Sequence, residues 1–147
     1  MVSMKKFLEK KGEMAISMDG LSEKFFEPFI MKRIQVDLLE PSRIVCSFKV
    51  TPHWLNGGNL LHGGATTTLV DLIGSATLLT VGTPIYGVSV EINVSFLDSA
   101  YPDEEVEVEA KALRVRKAVG VASVELKEEE DRQNYSLEPP YQVSCSR

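Results

Sequence analysis

Most of the candidate chemistry in this chain lies in residues 59–76, NLLHGGATTTLVDLIGSA. Gly63 and Gly64 open an apolar helical run, and Asp71 sits inside it between Leu69, Val70 and Leu72, Ile73. Two glycines at a helix N-terminus leave bare N–H groups where unpaired donors and the positive dipole end favour developing negative charge. The oxyanion of an acyl-transfer intermediate is such a charge. A tight loop-to-helix turn is the plainer reading of HGG. Asp71 offers a carboxylate base or, more plainly, the polar edge of an amphipathic helix. At three- and four-residue spacing Gly64, Thr67, Asp71, Ser75 and Leu78 form one line, a narrow polar stripe that faces either solvent or a polar cleft.

Spacing limits how these groups can cooperate. Gly63 and Asp71 are eight residues apart, or about 12 Å along a helix at about 1.5 Å per residue. An oxyanion donor and a base working on one carbonyl must both lie within about 3 Å of the reacting atoms. If both are catalytic, the Asp of one subunit meets the glycine end of another, with the two helices antiparallel in a two-fold dimer.

Other chemistries lack their residues. There is no G-x-S-x-G elbow, and no glycine loop of the phosphate- or dinucleotide-binding kind. His53 and His62 with the distant Cys46 and Cys145 lack the spacing of a zinc site, so neither metal nor cofactor is expected.

The elements that must position these residues follow from hydrophobic period. Residues 1–32 are mixed and amphipathic, one or two short helices interrupted by Gly20 and Pro28. From Ile34 the period changes to two: Ile34, Val36 and Leu38 alternate, Glu40-Pro41-Ser42 turns, and RIVCSFKV resumes, which makes a hairpin. TPHWLNGGN, residues 51–59, reads as loop. The spacing predicts a helix from Gly63 to about Val81, apolar on nearly all sides and ended by Gly82 and Pro84, as if a sheet wraps round it. Three alternating runs follow. VSVEINVSFL places Val88, Val90, Ile92, Val94 and Phe96 on one face, and EVEVEAKALRV and AVGVASVELK flank a turn at Arg116-Lys117. The EVEVEAK alternation reads as a sheet edge with a solvated face. The class is α+β, a hairpin, one long buried helix and then an antiparallel meander around it.

Composition sets the outer bounds. At 147 residues, 44% apolar and 25% charged, the chain is most simply one soluble domain. A net charge of −5 argues against a nucleic-acid binder, and Arg114, Arg116 and Lys117 are too short a basic run for a nucleic-acid groove. No apolar run is long enough to span a membrane, and the lysines near the N-terminus lead into no secretory signal. Two cysteines imply no disulfide framework, so a reducing, cytoplasmic location is the expectation, with an organelle as the alternative.

The order N-x5-HGG-x5-VD, formed by Asn56, His62, Gly63, Gly64, Val70 and Asp71 and followed by GVSVEINVSFL, resembles the hotdog-fold acyl-CoA thioesterases. Within them it is most similar to the PaaI-like branch that includes the animal acyl-coenzyme A thioesterase 13 type, over about residues 20–126. The resemblance implies a sheet wrapped round the central helix, and dimers or dimers of dimers forming a homotetramer with shared sites. It implies acyl-CoA hydrolysis in lipid metabolism, with CoA entering only as part of the substrate. Gly63 N–H would hold the thioester oxygen. Asp71 of the partner subunit would activate water or attack, and Asn56 would bind that water or the carbonyl. Ser89 would bond beside Asp71, with His62 near the sulfur. Gly64, Ser89, Glu91 and the loop from Phe96 through Leu97 and Ser99 to Tyr101 would carry the CoA arm, with Arg114, Arg116 and Lys117 at its phosphates. Two rivals stay open: a non-catalytic acyl or CoA binder, and a hotdog hydratase, disfavoured because His62 lies more than two helical turns before Asp71.

The tail departs from that pattern. Residues 128–147, EEEDRQNYSLEPPYQVSCSR, show charge and two prolines without strand alternation. One permitted set of codons for them, read one base further on, spells KKKTGKIIALSRHIKYHA, close to the family ending. The tail from about Glu128 is therefore read as frameshifted, with the last strand of the sheet lost or altered.

Overall fold

The computed structural model describes residues 26–82, 88–116, 119–128 and 143–146. The chain enters through a short helix α1 (Phe26–Met31), whose Ile30 and Met31 are buried in the core. The remainder of the expected N-terminal helical segment lies outside the described residues.

The expected hairpin is present as β1 (Gln35–Glu40) and β2 (Arg43–Lys49). Pro41 and Ser42 turn it, Ser42 taking the left-handed φ of 67° that so short a connection needs. Val36, Ile44, Cys46 and Phe48 face inward.

The long helix α2 runs Gly63–Leu79, two residues short of the expected end; Thr80 closes it and Gly82 leaves it at φ 86°. Leu69, Val70, Ile73 and Leu78 are fully buried, and the helix touches every strand from β2 to β6. An element apolar on most sides needs cover on most sides, and the sheet supplies it. Burying one such Leu or Ile contributes about 1.5–3 kcal/mol.

Beyond α2 come β3 (Glu91–Val94), β4 (Glu105–Val115), β5 (Gly120–Glu128) and β6 (Val143–Ser146). The six strands are antiparallel in the order β1-β2-β4-β5-β6-β3. Two expectations are corrected here. The runs after the helix form no simple meander, because β3 pairs with β6 at the far edge rather than with β4. EVEVEAK is no edge either: β4 lies between β2 and β5, and its outward Glu109 is held by Arg43 at 2.6 Å and Lys111 at 3.0 Å. The last strand is present in altered form: VSCS of the tail fills the position beside β5 as a four-residue strand.

Val88, Val90 and Phe96 leave the expected inward face. Only Ile92 and Val94 pack against the core, while Val88 and Val90 are 85% and 77% exposed. The cause is pairing: among the described residues β3 pairs only with the four-residue β6, and its ladder stops short of the flanking residues. Among the described residues no helix is long and apolar enough to cross a membrane.

Candidate active site

The loop before α2 is pinned at both ends. Buried Trp54 packs its ring against Phe48, centroids 5.0 Å apart, and its carbonyl accepts from His62 N at 2.7 Å. Within the loop, Asn56 Oδ1 accepts from Gly58 N at 2.8 Å and Leu60 N at 3.2 Å. Two backbone donors thus commit the amide oxygen and leave the Nδ2 hydrogens as the donors Asn56 can offer.

His62 is the N-cap of α2 and does more than the usual cap. Gly64 N donates to its Nδ1 at 2.8 Å, while Ala65 N and Thr66 N donate to its carbonyl at 2.8 and 3.1 Å. Nδ1 is therefore the unprotonated ring nitrogen and Nε2 carries the hydrogen. A helix start has four N–H groups without helical partners. His62 answers for two of them, Gly64 and Ala65, its own N–H goes to the Trp54 carbonyl, and Gly63 N–H finds no acceptor among the described residues.

Gly63 also lines a cleft of about 230 Å³, together with Asn56, Leu61, Thr66, Phe96, Asp98, Ser99 and Ala100. Phe96 packs directly on the glycine: a Cβ on Gly63 would lie 3.3 Å from its Cε1. Asp98 Oδ1 accepts from Ser99 N at 2.7 Å.

Asp71 does not line this cleft. Half-buried two turns further along α2, it accepts at Oδ1 from the hydroxyl of Ser89, just before β3. The candidate residues thus fall into groups. Asn56, Gly63, Phe96 and Ser99 meet at the helix start with His62 capping beside them, while Asp71 and Ser89 pair elsewhere. Gly64 has its N–H already engaged, and Glu91 and Leu97 are exposed at the start of β3 and after it. Arg114 and Arg116 are exposed at the end of β4, and Lys117 lies outside the described residues. Asp98 and Thr66 join the cleft without having been singled out in the sequence; the signal for Asp98 was its charge in the otherwise neutral FLDSA. Among the described residues no three of His, Cys, Asp and Glu converge as a metal site requires. Cys46 is no nucleophile: burial, with Asp37 adding to it, pushes its thiol up to about 12.

The chain's residues 58–135 match the family model described as Thioesterase superfamily. The chain belongs to the thioesterase superfamily. The mouse protein named acyl-coenzyme A thioesterase 13 is 32% identical over 97 residues, 66% of this chain and 69% of that one. In three dimensions the thioesterase superposes on zebrafish thioesterase superfamily member 2 with a TM-score of 0.82 at 24% identity, covering 99% of this chain and 95% of that one. It also resembles the PaaI protein of E. coli, with a TM-score of 0.65 at 18% identity over 77% of this chain and 80% of that one. These likenesses identify the sheet and its central helix as the hotdog fold, and the family as one of thioester hydrolases.

Proposed function

We propose that the thioesterase hydrolyses a fatty or aryl acyl-CoA thioester to free acid and CoA, at a site completed by two protomers. The relatives named acyl-coenzyme A thioesterase support the substrate class. One observation carries the shared site: the cleft that holds the open Gly63 donor contains Asn56 but not Asp71. The cleft of one chain, about 230 Å³, also falls below the roughly 300–1,000 Å³ of a site that encloses a ligand. A two-fold axis between antiparallel α2 helices would bring Asp71 of the partner subunit to the glycine end and enlarge the cleft together.

In this reading the thioester oxygen lies on Gly63 N–H, where the donor and the helix dipole stabilise the oxyanion. Asn56 Nδ2 donates to the attacking water or the carbonyl. Asp71 of the partner subunit, oriented by the Ser89 hydroxyl, takes the water's proton as its oxygen bonds to the carbonyl carbon. Collapse breaks the carbon–sulfur bond and the thiolate leaves as CoA with a proton, His62 Nε2–H lying near the sulfur. Phe96, Leu97 and Ser99 with Glu91 and Gly64 would flank the CoA arm. Arg114, Arg116 and Lys117 would meet its phosphates, in a dimer or dimer of dimers.

The test is steady-state release of CoA from a medium- or long-chain acyl-CoA by the protein and by Asp71→Ala. Loss of a general base lowers kcat by about 10² or more. Unchanged turnover in the variant would exclude the Asp71 mechanism, and no turnover in either protein would leave a binding protein.

A further inference from the structure

Of the five hydroxyl side chains on α2, three set the pattern against which Ser75 stands out. Thr67, Thr68 and Thr77 each donate to the carbonyl four residues back, at 2.9, 2.8 and 2.9 Å. Ser75 could do the same toward the Asp71 carbonyl and does not. The residue is 7% exposed, and its Oγ is buried without a hydrogen-bond partner among the described residues. A buried hydroxyl left unmet costs stability that alanine at the same position would avoid, so its presence asks for a role.

Its place on the helix supplies one. Ser75 lies four residues, one turn, beyond Asp71 on the same face, which sets the two Cβ atoms about 5–6 Å apart. Asp71 has Oδ1 committed to Ser89. Resting on the acyl-CoA reading above, we propose that Ser75 is a positioning residue for Asp71, holding the other carboxylate oxygen through one buried water. Two hydrogen bonds of about 2.8 Å in series span the distance between the side chains. The two partners are the minimum that a buried water takes.

The consequence is orientation. A carboxylate held by Ser89 at one oxygen alone can still rotate about its last torsion. A second contact at Oδ2 fixes the carboxylate plane. A carboxylate oxygen has room for two donors, so Oδ2 can accept from this water and from the nucleophilic water together. Ser75 itself touches no substrate atom. It acts on the rate through the direction in which Asp71 presents its lone pair, a property that substrate binding does not sense.

The experiment compares the intact oligomer with its Ser75→Ala variant in two measurements. Kinetics on one medium-chain acyl-CoA should show kcat down about 10-fold with KM unchanged, the signature of a misaimed base. Melting temperature should stay level or fall by no more than a few degrees, because the variant loses only one water-mediated hydrogen bond of modest net worth. A crystal structure of each protein at a resolution that shows ordered water should place a water between Ser75 Oγ and Asp71 Oδ2 in the first and not in the second. Wild-type kcat in Ser75→Ala, or no water bridging the pair, overturns the proposal. The crystallographic arm does not depend on turnover. If neither protein cleaves the thioester but the bridge is seen, the acyl-CoA reading falls and the Ser75–Asp71 pairing stands.

Discussion

If each site takes its oxyanion donor from one protomer and its base from another, two dead variants mixed together should revive. The first variant is Asp71→Ala. The second must delete the Gly63 N–H and little else, and Gly63→Pro does so. Gly63 is the first residue of α2, where proline is tolerated because the N–H has no helical partner to lose. His62 before it is already extended, with φ −68° and ψ 126°, the conformation that a residue preceding proline prefers. A Cβ there meets Phe96 Cε1 at 3.3 Å, the far end of a ring that is 55% exposed and free to give way. Both variants should therefore fold, and a melting curve checks it.

The magnitudes follow from counting sites. Removing one oxyanion donor costs about 10²–10³ in kcat, and removing the base about 10² or more. Each homodimer should keep about 1% of wild-type activity or less. A heterodimer has one site with both defects and one with neither, so it should have about half the wild-type activity. Random reassortment of equal amounts makes about half the dimers mixed, for about a quarter of wild-type activity overall. The assay is CoA release after the two variants are co-refolded, or after the heterodimer is isolated with two different affinity tags. If Gly63 and Asp71 served the same chain, every site would carry one defect and the mixture would stay near 1%. That result would refute the geometric argument, since about 12 Å of helix would then have been bridged some other way.

Asp98 is the charged side chain lining the cleft and therefore the rival base within one chain. Asp98→Ala should change kcat less than about fivefold, the scale of a screened, exposed charge, whereas a loss of about 10² would make it the base. His62→Ala removes the group that satisfies Gly64 N, and should lower stability by about 1 kcal/mol in thermal unfolding, with His62→Asn recovering most of it; an unchanged melting temperature would refute the capping role. Burial alone would raise the Glu109 carboxyl, but hydrogen bonds from Lys111 and Arg43 outweigh it and hold it below its ordinary 4.5. A folded value below the unfolded one gives stability that is present above the unfolded value and fades as pH falls through the folded one. Glu109→Gln should therefore lower the melting temperature at neutral pH and flatten its decline in acid; parallel acid limbs would count against the pairing. The tail makes its own prediction. A chain ending KKKTGKIIALSRHIKYHA from residue 128 should melt higher than this one, whose β6 spans four residues beside the nine of β5. Equal melting curves, or a gene whose codons cannot give that frame, would reject the frameshifted reading.

What could be read from the residues in advance divides along the line between local and distant causes. The hairpin turn at Pro41-Ser42 and the start of α2 at Gly63 are set by the residues that form them, and both stand where the sequence puts them. Strand partners are chosen elsewhere. The alternation of VSVEINVSFL marks a strand, yet nothing in it says that the neighbour is β6, some fifty residues later, or that the ladder covers only Glu91–Val94. The strand within the tail was not legible for a related reason: VSCS does alternate apolar and polar, but over four residues at the end of a charged, proline-containing run.

The helix start shows the same division at atomic scale. HGG announces a turn with bare donors, but which donor stays open depends on what the cap does with the others. Histidine is not among the common N-caps, and its two acceptors, ring nitrogen and carbonyl, engage Gly64, Ala65 and Thr66. A serine or aspartate here could cap as well. Imidazole adds a hydrogen at Nε2, which the capping bond at Nδ1 fixes on the far side of the ring. One residue thus engages two of the orphan donors at the helix start and leaves the N–H of Gly63, which lines the cleft, without an acceptor among the described residues. If the Gly63 N–H is the oxyanion donor, the helix start still lacks a base. Asp71, the carboxylate on α2, is set two turns away, held by Ser89 and outside the cleft. If both residues act on one acyl group, as proposed, that geometry makes dimerisation part of the reaction.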